Sequence, residues 1–205
     1  MAEPPTYLQP GHFEQLYARD PDPWRFATSE YERDKYAATI AALPRPRFHR
    51  GFEVGCSIGV LTRQLAAQCD RLLAVDLAES ALAQARSRCA GLPNVEIARM
   101  AVPGEWPDGA FDLVLFSEVL YYLGLPGIDA AARRTLASLD PGGAVLLVDW
   151  RGPTDGACTG EEAADRFIMG CGDRLRLAHQ ERTELYRLDV LECPARPNLS
   201  GRTIG

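Results

Sequence analysis

A glycine-rich segment that joins an apolar run to a helical pattern constrains this chain more than any other feature. The segment covers residues 51–61 and reads GFEVGCSIGVL. Its first residues predict a buried strand, and a helical spacing of apolar residues continues to residue 68. Glycine in a turn between a strand and a helix lets a ligand approach the backbone, because glycine has no Cβ and accepts positive φ. The segment therefore predicts a ligand-binding turn at the start of an α/β region.

Strands and helices alternate along the chain from this turn. Apolar runs predict strands at residues 51–54, 71–75, 94–98, 111–116 and 144–148. Helical patterns are found at residues 60–69, 80–89 and 129–139, and we expect a further helix from Glu118, ahead of a loop at 124–127. Such alternation, with nearly continuous apolar strands, is typical of a parallel sheet covered by helices on both faces.

The last third of the chain predicts how the sheet ends. A helix is expected at residues 161–169, and two stretches with period-2 alternation follow at 175–183 and 184–191. These stretches suit a terminal antiparallel pair. We therefore expect an α/β fold with a doubly wound, seven-stranded, mostly parallel sheet of the Rossmann-like kind.

A helical arm is predicted ahead of the sheet. Helices are expected at residues 12–19 and 30–43, separated by Asp-Pro-Asp-Pro at 20–23, because proline cannot continue a helix. Ser29 and Glu32 have the spacing of a capping box at the start of the second helix. A chain of 205 residues is most simply one domain. We divide it into an arm or lid at 1–46, an α/β core at 47–193 and a tail at 194–205.

Composition narrows the classes of partner. The net charge of −6 disfavours a nucleic-acid backbone as ligand. Lys35 is the only lysine, and the other 21 basic residues are arginines. The six cysteines form no Cys-x-x-Cys pair, so no metal site is predicted. No apolar run is long enough to span a membrane, and no signal segment is recognisable at the N-terminus. We expect a cytoplasmic protein that binds neither nucleic acid nor membrane.

The spacing of the turn distinguishes between nucleotide ligands. A dinucleotide site needs Gly-x-Gly-x-x-Gly, which does not occur here. The sequence Glu53-x-Gly55-x-Ser57-x-Gly59 instead resembles the Glu/Asp-x-Gly-x-Gly-x-Gly pattern of S-adenosylmethionine-dependent methyltransferases, with Ser57 in place of the middle glycine. In such a site Gly55 and Gly59 would let the backbone pass close to the methionine part of the cofactor. Glu53 would accept a hydrogen bond from its ammonium group.

Further candidate cofactor contacts follow the next strands. Asp76 ends the second predicted strand, where a carboxylate can accept both ribose hydroxyls. The methyltransferase pattern places an acidic residue for the adenine amino group near Met100, which cannot fill that role. We therefore expect adenine to use backbone groups of Met100 and Ala101, with Trp106 either over the ring or in the core. The remaining candidate contacts are Cys56, Leu77 and Ser117.

A narrower resemblance extends over about residues 12–150. Its motifs are Asp-Pro-Trp-Arg at 22–25, Tyr-Glu-Arg at 31–33, Glu-Val-Gly-Cys at 53–56, residues 72–76, Glu-Val-Leu-Tyr-Tyr-Leu at 118–123 and Pro-Gly-Gly at 141–143. Together they resemble the nodulation-factor N-methyltransferase (NodS) family, which methylates the free amine of a deacetylated glucosamine in chitooligosaccharide. The resemblance implies that Trp24 and Arg33 close over the methionine end of the cofactor. Arg33 would then pair with the cofactor carboxylate.

Acceptor chemistry is expected at the end of the fourth strand, where the cleft opens in this fold. Methyl transfer needs the acceptor aligned as a neutral lone pair, and an amine needs less help from a base than a hydroxyl does. We predict Glu118 as the acceptor-orienting carboxylate or base, with Tyr121 or Tyr122 orienting the acceptor. His12 is a second candidate base if the arm folds over the site. Trp150 and Arg151 are expected to face the same cleft.

Two kinds of function remain open from the sequence. One is an N-methyltransferase acting on an amino sugar or a similar small polar amine, with a small-molecule O-methyltransferase as its close alternative. The other is a protein that binds the cofactor without catalysis. A methyltransferase acting on DNA or RNA bases is disfavoured, because the usual Asp/Asn-Pro-Pro-aromatic string is replaced by Ser-Glu-Val-Leu at 117–120.

Overall fold

The computed structural model describes residues 11–195 and contains one seven-stranded sheet. Its strands are β1 (Phe48–Val54), β2 (Cys69–Asp76), β3 (Val95–Arg99), β4 (Phe111–Ser117), β5 (Leu139–Trp150), β6 (Arg176–Arg182) and β7 (Tyr186–Glu192). The strand order is β3-β2-β1-β4-β5-β7-β6. The first five strands pair in parallel, and β7 pairs antiparallel with both β5 and β6. The predicted doubly wound sheet and its terminal antiparallel pair are confirmed.

Six α-helices accompany the sheet within the described residues. They are α1 (His12–Arg19), α2 (Glu30–Ala41), α3 (Val60–Leu65), α4 (Glu79–Cys89), α5 (Gly124–Ser138) and α6 (Gly160–Cys171). None of them is long and apolar enough to cross a membrane. The first ten residues, and nearly all of the predicted tail, lie outside the described range. The division into arm, core and tail stays a prediction.

The segment after β4 differs from the sequence prediction. No α-helix begins at Glu118, which instead has a left-handed backbone with φ of 55°. A single 3-10 turn, Leu120–Tyr122, follows, and α5 begins at Gly124, where a loop was predicted. A left-handed residue cannot continue into a regular right-handed helix. The chain therefore makes a sharp bend at the carboxyl end of β4, and this bend turns the Glu118 side chain away from the strand direction.

The sheet separates two cores, and β4 contributes to both. Val114 and Phe116 point to the side covered by α5 and α6, while Leu113 and Leu115 point to the side of α2 and α3. Alternate residues of a strand face opposite sides, so a strand buried on both faces is apolar throughout. Burying a Phe or Leu side chain contributes about 1.5–3 kcal/mol each. The central strands thus provide a rigid base for the residues at their carboxyl ends.

Helix α2 is packed against the sheet through an unusual face. Its buried residues are Glu32, Lys35, Tyr36 and Thr39, at the i, i+3, i+4 and i+7 spacing of a single helical face. The Ser29 side chain accepts a hydrogen bond from the Glu32 N–H at 3.4 Å, which confirms the predicted start of the helix. Because this face is polar where a core-facing stripe is normally apolar, its charges must find partners elsewhere in the protein.

Candidate active site

An open cavity of about 740 Å³ lies at the carboxyl ends of β1, β2 and β4. Residues of α1 and of the segment between α1 and α2 form another part of its wall. Most predicted site residues line it: His12, Trp24, Glu53, Gly55, Cys56, Ser57, Asp76, Leu77, Met100, Ala101, Ser117, Glu118, Tyr121 and Tyr122. Those that do not are Arg33, Gly59, Trp106, Trp150 and Arg151. Placement at one cavity supports a common site, and the individual roles stay predictions.

The turn after β1 needs its glycines for packing inside the protein. Gly55 and Gly59 have φ of 81° and 78°, values that L side chains rarely adopt. A Cβ on Gly59 would lie 2.9 Å from the Cα of Ala85, so Gly59 allows α3 to approach α4. A Cβ on Gly55 would lie 3.1 Å from the Cβ of Val119. Gly55 lines the cavity, whereas Gly59 acts behind it, contrary to the ligand contact predicted for Gly59.

Ser57 occupies the position of the expected middle glycine and keeps a glycine-like backbone. Its φ is 49°, a left-handed value for a residue that has a Cβ. Its N–H donates to Oδ2 of Asp76 at 2.9 Å, and its hydroxyl forms a hydrogen bond with the hydroxyl of Tyr17 on α1. These two contacts offset the cost of the left-handed backbone, and they connect the turn both to β2 and to the arm.

Asp76 ends β2 and is held by backbone donors. Besides the Ser57 N–H, the Ala78 N–H donates to Oδ1 at 3.0 Å. Burial raises the pKa of the Asp76 carboxyl, while these N–H groups act in the opposite direction. Each carboxylate oxygen can accept more than one hydrogen bond, so the carboxylate retains capacity toward the cavity. Its fixed position at the wall suits the predicted contact with ribose hydroxyls.

Glu53 is the most unusual carboxylate of the cavity wall. It is 1% exposed, and its Oε2 atom has no hydrogen-bond partner among the described residues. Burial raises the pKa of Glu53 to about 7. The Thr62 side chain acts in the opposite direction on this pKa but does not cancel the effect of burial. A buried carboxylate oxygen without a partner is costly, because removing charge from water is compensated only by donors or an opposite charge. Glu53 therefore fits a cationic group entering from the cavity.

The adenine side of the predicted site shows a difference from expectation. The N–H of Met100 donates to the carbonyl of Asp76 at 3.0 Å, and the N–H of Ala101 donates to the side chain of Glu105 at 2.5 Å. The N–H groups of both residues are thus engaged within the protein, and the predicted use of backbone groups of Met100 and Ala101 by adenine stays a prediction. Trp106 does not line the cavity; it donates from Nε1 to Ser138 at 3.1 Å and packs on Phe52. Trp106 is a core residue.

The arm lies over the turn and is anchored at several points. The ring of Trp24 stacks on Phe26 at 5.5 Å and meets Tyr17 edge-on at 5.6 Å. All three rings line the cavity. The Glu14 side chain accepts hydrogen bonds from the N–H and hydroxyl of Ser80 at the start of α4. These contacts support the predicted lid position of the arm and place Trp24 at the cofactor side.

The position of Arg33 does not support the role predicted for it. Its side chain is 65% exposed and pairs with Glu30 at 3.7 Å and Asp34 at 3.4 Å, outside the cavity. The helical geometry is the reason, because Arg33 is one residue past Glu32 and so lies about 100° around the helix from the buried face. A guanidinium on that surface cannot pair with the carboxylate of a ligand in the cavity while α2 keeps this orientation.

Glu118 lies in a network that includes Lys35. Oε2 of Glu118 is 2.8 Å from Nζ of Lys35, and Oε1 accepts a hydrogen bond from the Tyr31 hydroxyl at 3.3 Å. Nζ of Lys35 is also 2.9 Å from Oε2 of Glu32. The Lys35 side chain is 0% exposed and lies 5.0 Å from the centre of the Tyr31 ring. Residues of the arm thus hold the carboxylate that is predicted to orient the acceptor.

Aromatic residues complete this part of the wall. The rings of Tyr121 and Tyr122 are 4.7 Å apart, and the ring of Phe13 meets Tyr122 edge-on at 5.0 Å. The Tyr122 hydroxyl donates to Asp155 at 2.9 Å. Burial raises the pKa of both Tyr121 and Tyr122, so their hydroxyls stay protonated as hydrogen-bond donors. His12 lines the cavity, and its Nε2 atom has no partner among residues 11–195.

Trp150 and Arg151 do not line the cavity, contrary to prediction. Trp150 meets the Tyr31 ring edge-on at 5.5 Å, behind the Glu118 network. Arg151 pairs with Glu161 at 2.7 Å. Trp150 ends β5 and Arg151 follows it, and both contact neighbouring β7 or α6 rather than the cavity.

Lys35 and Glu32 were not among the predicted site residues. A signal for them existed in the sequence, since Glu32, Lys35 and Tyr36 share one helical face and Lys35 is the only lysine of the chain. The identity of the partner, Glu118, depends on how α2 packs on β4. That contact joins residues 83 positions apart, which a local pattern cannot reveal.

Comparisons with known proteins agree with this arrangement. Residues 12–154 match the family model described as nodulation protein S (NodS). The chain is 32% identical over 128 residues to nodulation protein S of Rhizobium tropici, covering 62% of this chain and 54% of that protein. It is 33% identical over 122 residues to nodulation protein S of Bradyrhizobium diazoefficiens, covering 58% of each. The chain thus spans a little over half the length of these relatives.

A solved structure shares the fold over nearly the whole chain. The N-methyltransferase NodS from Bradyrhizobium japonicum WM9, crystallised with S-adenosyl-L-homocysteine, superposes with a TM-score of 0.77. The alignment covers 93% of this chain and 100% of that protein, at 23% sequence identity. At this identity the match concerns the fold, including the helices that precede the sheet.

Proposed function

The chain belongs to the nodulation protein S (NodS) family, and from this premise we propose that it is an S-adenosylmethionine-dependent N-methyltransferase. We further propose that its acceptor is the free amine of an amino sugar or of an oligosaccharide that contains one. One observation carries the proposal: among the carboxylates that line a single cavity, Glu53 lies beside the glycine turn with no partner for Oε2 within residues 11–195, and Glu118 lies beside Tyr121.

The residues beside the turn suit the proposed cofactor. Glu53 would hold the ammonium of its methionine part, because Oε2 is buried and has no partner within the described chain. Asp76 would accept hydrogen bonds from the ribose hydroxyls. The rings of Tyr17, Trp24 and Phe26 would cover the cofactor and limit the access of water. When bound, the cofactor supplies an electrophilic methyl group on a sulfonium.

The residues after β4 suit an amine acceptor. Glu118 presents a carboxylate that is fixed by Lys35 and Tyr31, and an acceptor N–H can donate to its remaining lone pairs. Such a bond orients the nitrogen lone pair and provides a place for the proton that the amine loses. A hydroxyl acceptor would need a stronger base to become a nucleophile. Tyr121 and Tyr122 offer aromatic surface for a sugar ring.

The direct test uses two chito-oligosaccharide substrates that differ only in acetylation. We expect methyl transfer from S-adenosylmethionine to glucosamine oligomers and none to the fully N-acetylated oligomers, with mass spectrometry locating the methyl group on nitrogen. Methylation of the acetylated oligomers would indicate an O-methyltransferase. Binding of S-adenosylhomocysteine without turnover of any amine or hydroxyl acceptor would indicate a non-catalytic protein.

A further inference from the structure

The only lysine of the chain is buried beside two carboxylates, and the proposed chemistry so far gives it no role. Nζ of Lys35 is 2.9 Å from Oε2 of Glu32 and 2.8 Å from Oε2 of Glu118. Of these three residues, only Glu118 lines the cavity. Lys35 therefore does not face the space where an acceptor would bind; it contacts that space through the carboxylate of Glu118.

The charges of this cluster do not cancel. One ammonium serves two carboxylates, and burial raises the pKa of Glu32 while Lys35 lowers it. Other ionisable groups around Glu118 are neutral phenols or a carboxyl whose pKa burial raises strongly. Together with Lys35 and Glu32, the groups that face Glu118 are Tyr31, Tyr36, Tyr121, Tyr122 and Asp149. Lys35 is the single cation among them, so it is the group that pairs with the Glu118 carboxylate.

The backbone at Glu118 also depends on this contact. Its φ of 55° is in the left-handed region, which is unfavourable for a residue with a Cβ unless the surroundings compensate. The N–H of Glu118 donates to the carbonyl of Val148 at 2.7 Å, which fixes the backbone. The ion pair with Lys35 fixes the other end of the same residue. The direction of the carboxylate is therefore determined from both ends.

We propose that Lys35 is a positioning residue for methyl transfer, which holds the Glu118 carboxylate in place and aimed at the acceptor nitrogen. This inference rests on the proposed N-methyltransferase function. It also assigns a task to α2: the arm helix supplies the cation on which the acceptor side depends. The two sides of the reaction are then assembled by one segment, since the arm also carries Tyr17 and Trp24 over the cofactor.

The test compares three variants of the full chain with the wild-type protein on glucosamine oligomers. Lys35→Met removes the cation, and Glu32→Gln removes the competing carboxylate. Thr39→Val is the matched control, because Thr39 lies on the same buried helix face and its hydroxyl donates to the backbone carbonyl of Lys35 at 2.8 Å rather than to a charged group of the cluster. The readouts are kcat, KM and the pH dependence of kcat/KM, with S-adenosylhomocysteine affinity measured separately by calorimetry.

Lys35→Met should lower kcat by about 30–100-fold, the scale of losing an oriented catalytic group. Its affinity for S-adenosylhomocysteine should change by less than about threefold, because a positioning role at the acceptor leaves the cofactor contacts in place. The acid limb of its pH profile should move to higher pH, because Lys35 then no longer lowers the pKa of Glu32 in the cluster. In Glu32→Gln the limb should move to lower pH, because Lys35 serves Glu118 alone. Ionisation of the free acceptor affects the wild-type protein and the variants equally. Opposite displacements of the acid limb in the two variants therefore report on the cluster of Lys35, Glu32 and Glu118.

Two results would overturn the inference. One is a pH profile that moves in neither variant; the other is a loss of kcat in Lys35→Met no larger than in Thr39→Val. If Lys35→Met does not fold, an unmoved limb in Glu32→Gln is sufficient to reject it. The wild-type protein is measured first: if it methylates no amine, the proposed function itself is wrong, whereas wild-type turnover with unshifted variants rejects only the role of Lys35.

Discussion

Two carboxylates of the same cavity are stabilised in opposite ways. Glu53, on β1, is buried and its Oε2 has no partner in the described part of the chain, and burial raises its pKa to about 7. Glu118, after β4, has an ammonium at 2.8 Å and a phenol at 3.3 Å. The first carboxylate lacks the cation that would compensate its burial. The second obtains its cation from another part of the same chain.

The difference indicates what each side of the cavity must do. A carboxylate without a partner gains most when a ligand brings the positive charge, so the Glu53 side is suited to tight binding of a cationic group. A carboxylate that is already paired gains less from a new charge and is held more rigidly. The Glu118 side is therefore suited to orientation. Binding energy and alignment are assigned to different residues of one cavity.

The largest expected effect comes from removing the internal cation. Lys35→Met should lower the free energy of unfolding by about 3–5 kcal/mol at pH 7, because it leaves buried carboxylates uncompensated. Urea denaturation measures it. Arg33→Met is the matched control on the same helix, and its exposed ion pairs should make it change stability by less than about 0.5 kcal/mol. Equal losses in the two variants would contradict the contrast drawn between the buried and exposed cations.

Removing the charge of Glu53 should stabilise the protein, whereas removing the charge of Lys35 should destabilise it. Because its folded pKa of about 7 lies above the ordinary value of 4.5, the folded state holds a proton that the unfolded state has released. The stability of the wild-type protein should therefore fall as pH rises from about 4.5 to 7 and then level off. Glu53→Gln removes this penalty and should make the ligand-free protein more stable by about 2–3 kcal/mol at pH 8.

Denaturation of both proteins at pH 5 and pH 8 tests this prediction. The wild-type protein should approach the stability of the variant at pH 5, where Glu53 is protonated in the folded state. A variant that is less stable than the wild-type protein at pH 8 would show that Glu53 already has an internal partner.

Cofactor affinity should also depend on the ionisation of Glu53. Only ionised Glu53 can pair with the ammonium of the cofactor, so the wild-type protein should bind S-adenosylhomocysteine about tenfold more tightly at pH 8 than at pH 6. Calorimetry at the two pH values measures this ratio. In Glu53→Gln the affinity should be low and nearly independent of pH. The same pH dependence in both proteins would assign the titration to another group.

The smallest expected effect concerns an exposed carboxylate that contacts a residue of the cavity wall. Glu105 accepts the hydrogen bond of the Ala101 N–H, which lines the predicted adenine region. Glu105→Ala frees this N–H for the ligand. Because the Glu105 side chain is exposed, its removal should change the binding free energy only slightly. We expect S-adenosylhomocysteine to bind up to about threefold more tightly, as measured by calorimetry. A loss of tenfold or more would show that Glu105 itself contacts the cofactor.

Much of this arrangement was predictable from the sequence, because it depends on local patterns. Apolar runs identified the strands, and the spacing from Glu53 to Gly59 indicated the turn and its ligand class. Asp76 was expected at the end of its strand and lies there. Each of these predictions uses residues within one strand or one strand–turn–helix unit, where the chain geometry alone determines which side chains come together.

The parts that failed depend on contacts between distant segments. Arg33 was chosen by motif, but its position on α2 points it to solvent. The bend at Glu118 needs the hydrogen bond to Val148 and the ion pair to Lys35, neither of which a local pattern shows. The packing of α2 was not predicted from the sequence. Hydrophobic periodicity is the usual sign of a packed helix, and the buried face of α2 carries charges instead.

The hydrogen bond between Ser57 and Tyr17 has a consequence for how relatives of this chain can vary. Ser57 keeps a backbone shape that glycine adopts without cost, and its hydroxyl is used by the hydroxyl of Tyr17. A relative that loses the phenol at position 17 loses the reason for a hydroxyl at position 57, and glycine becomes the better residue there. The two positions should therefore change together over evolutionary time, although 40 residues separate them along the chain.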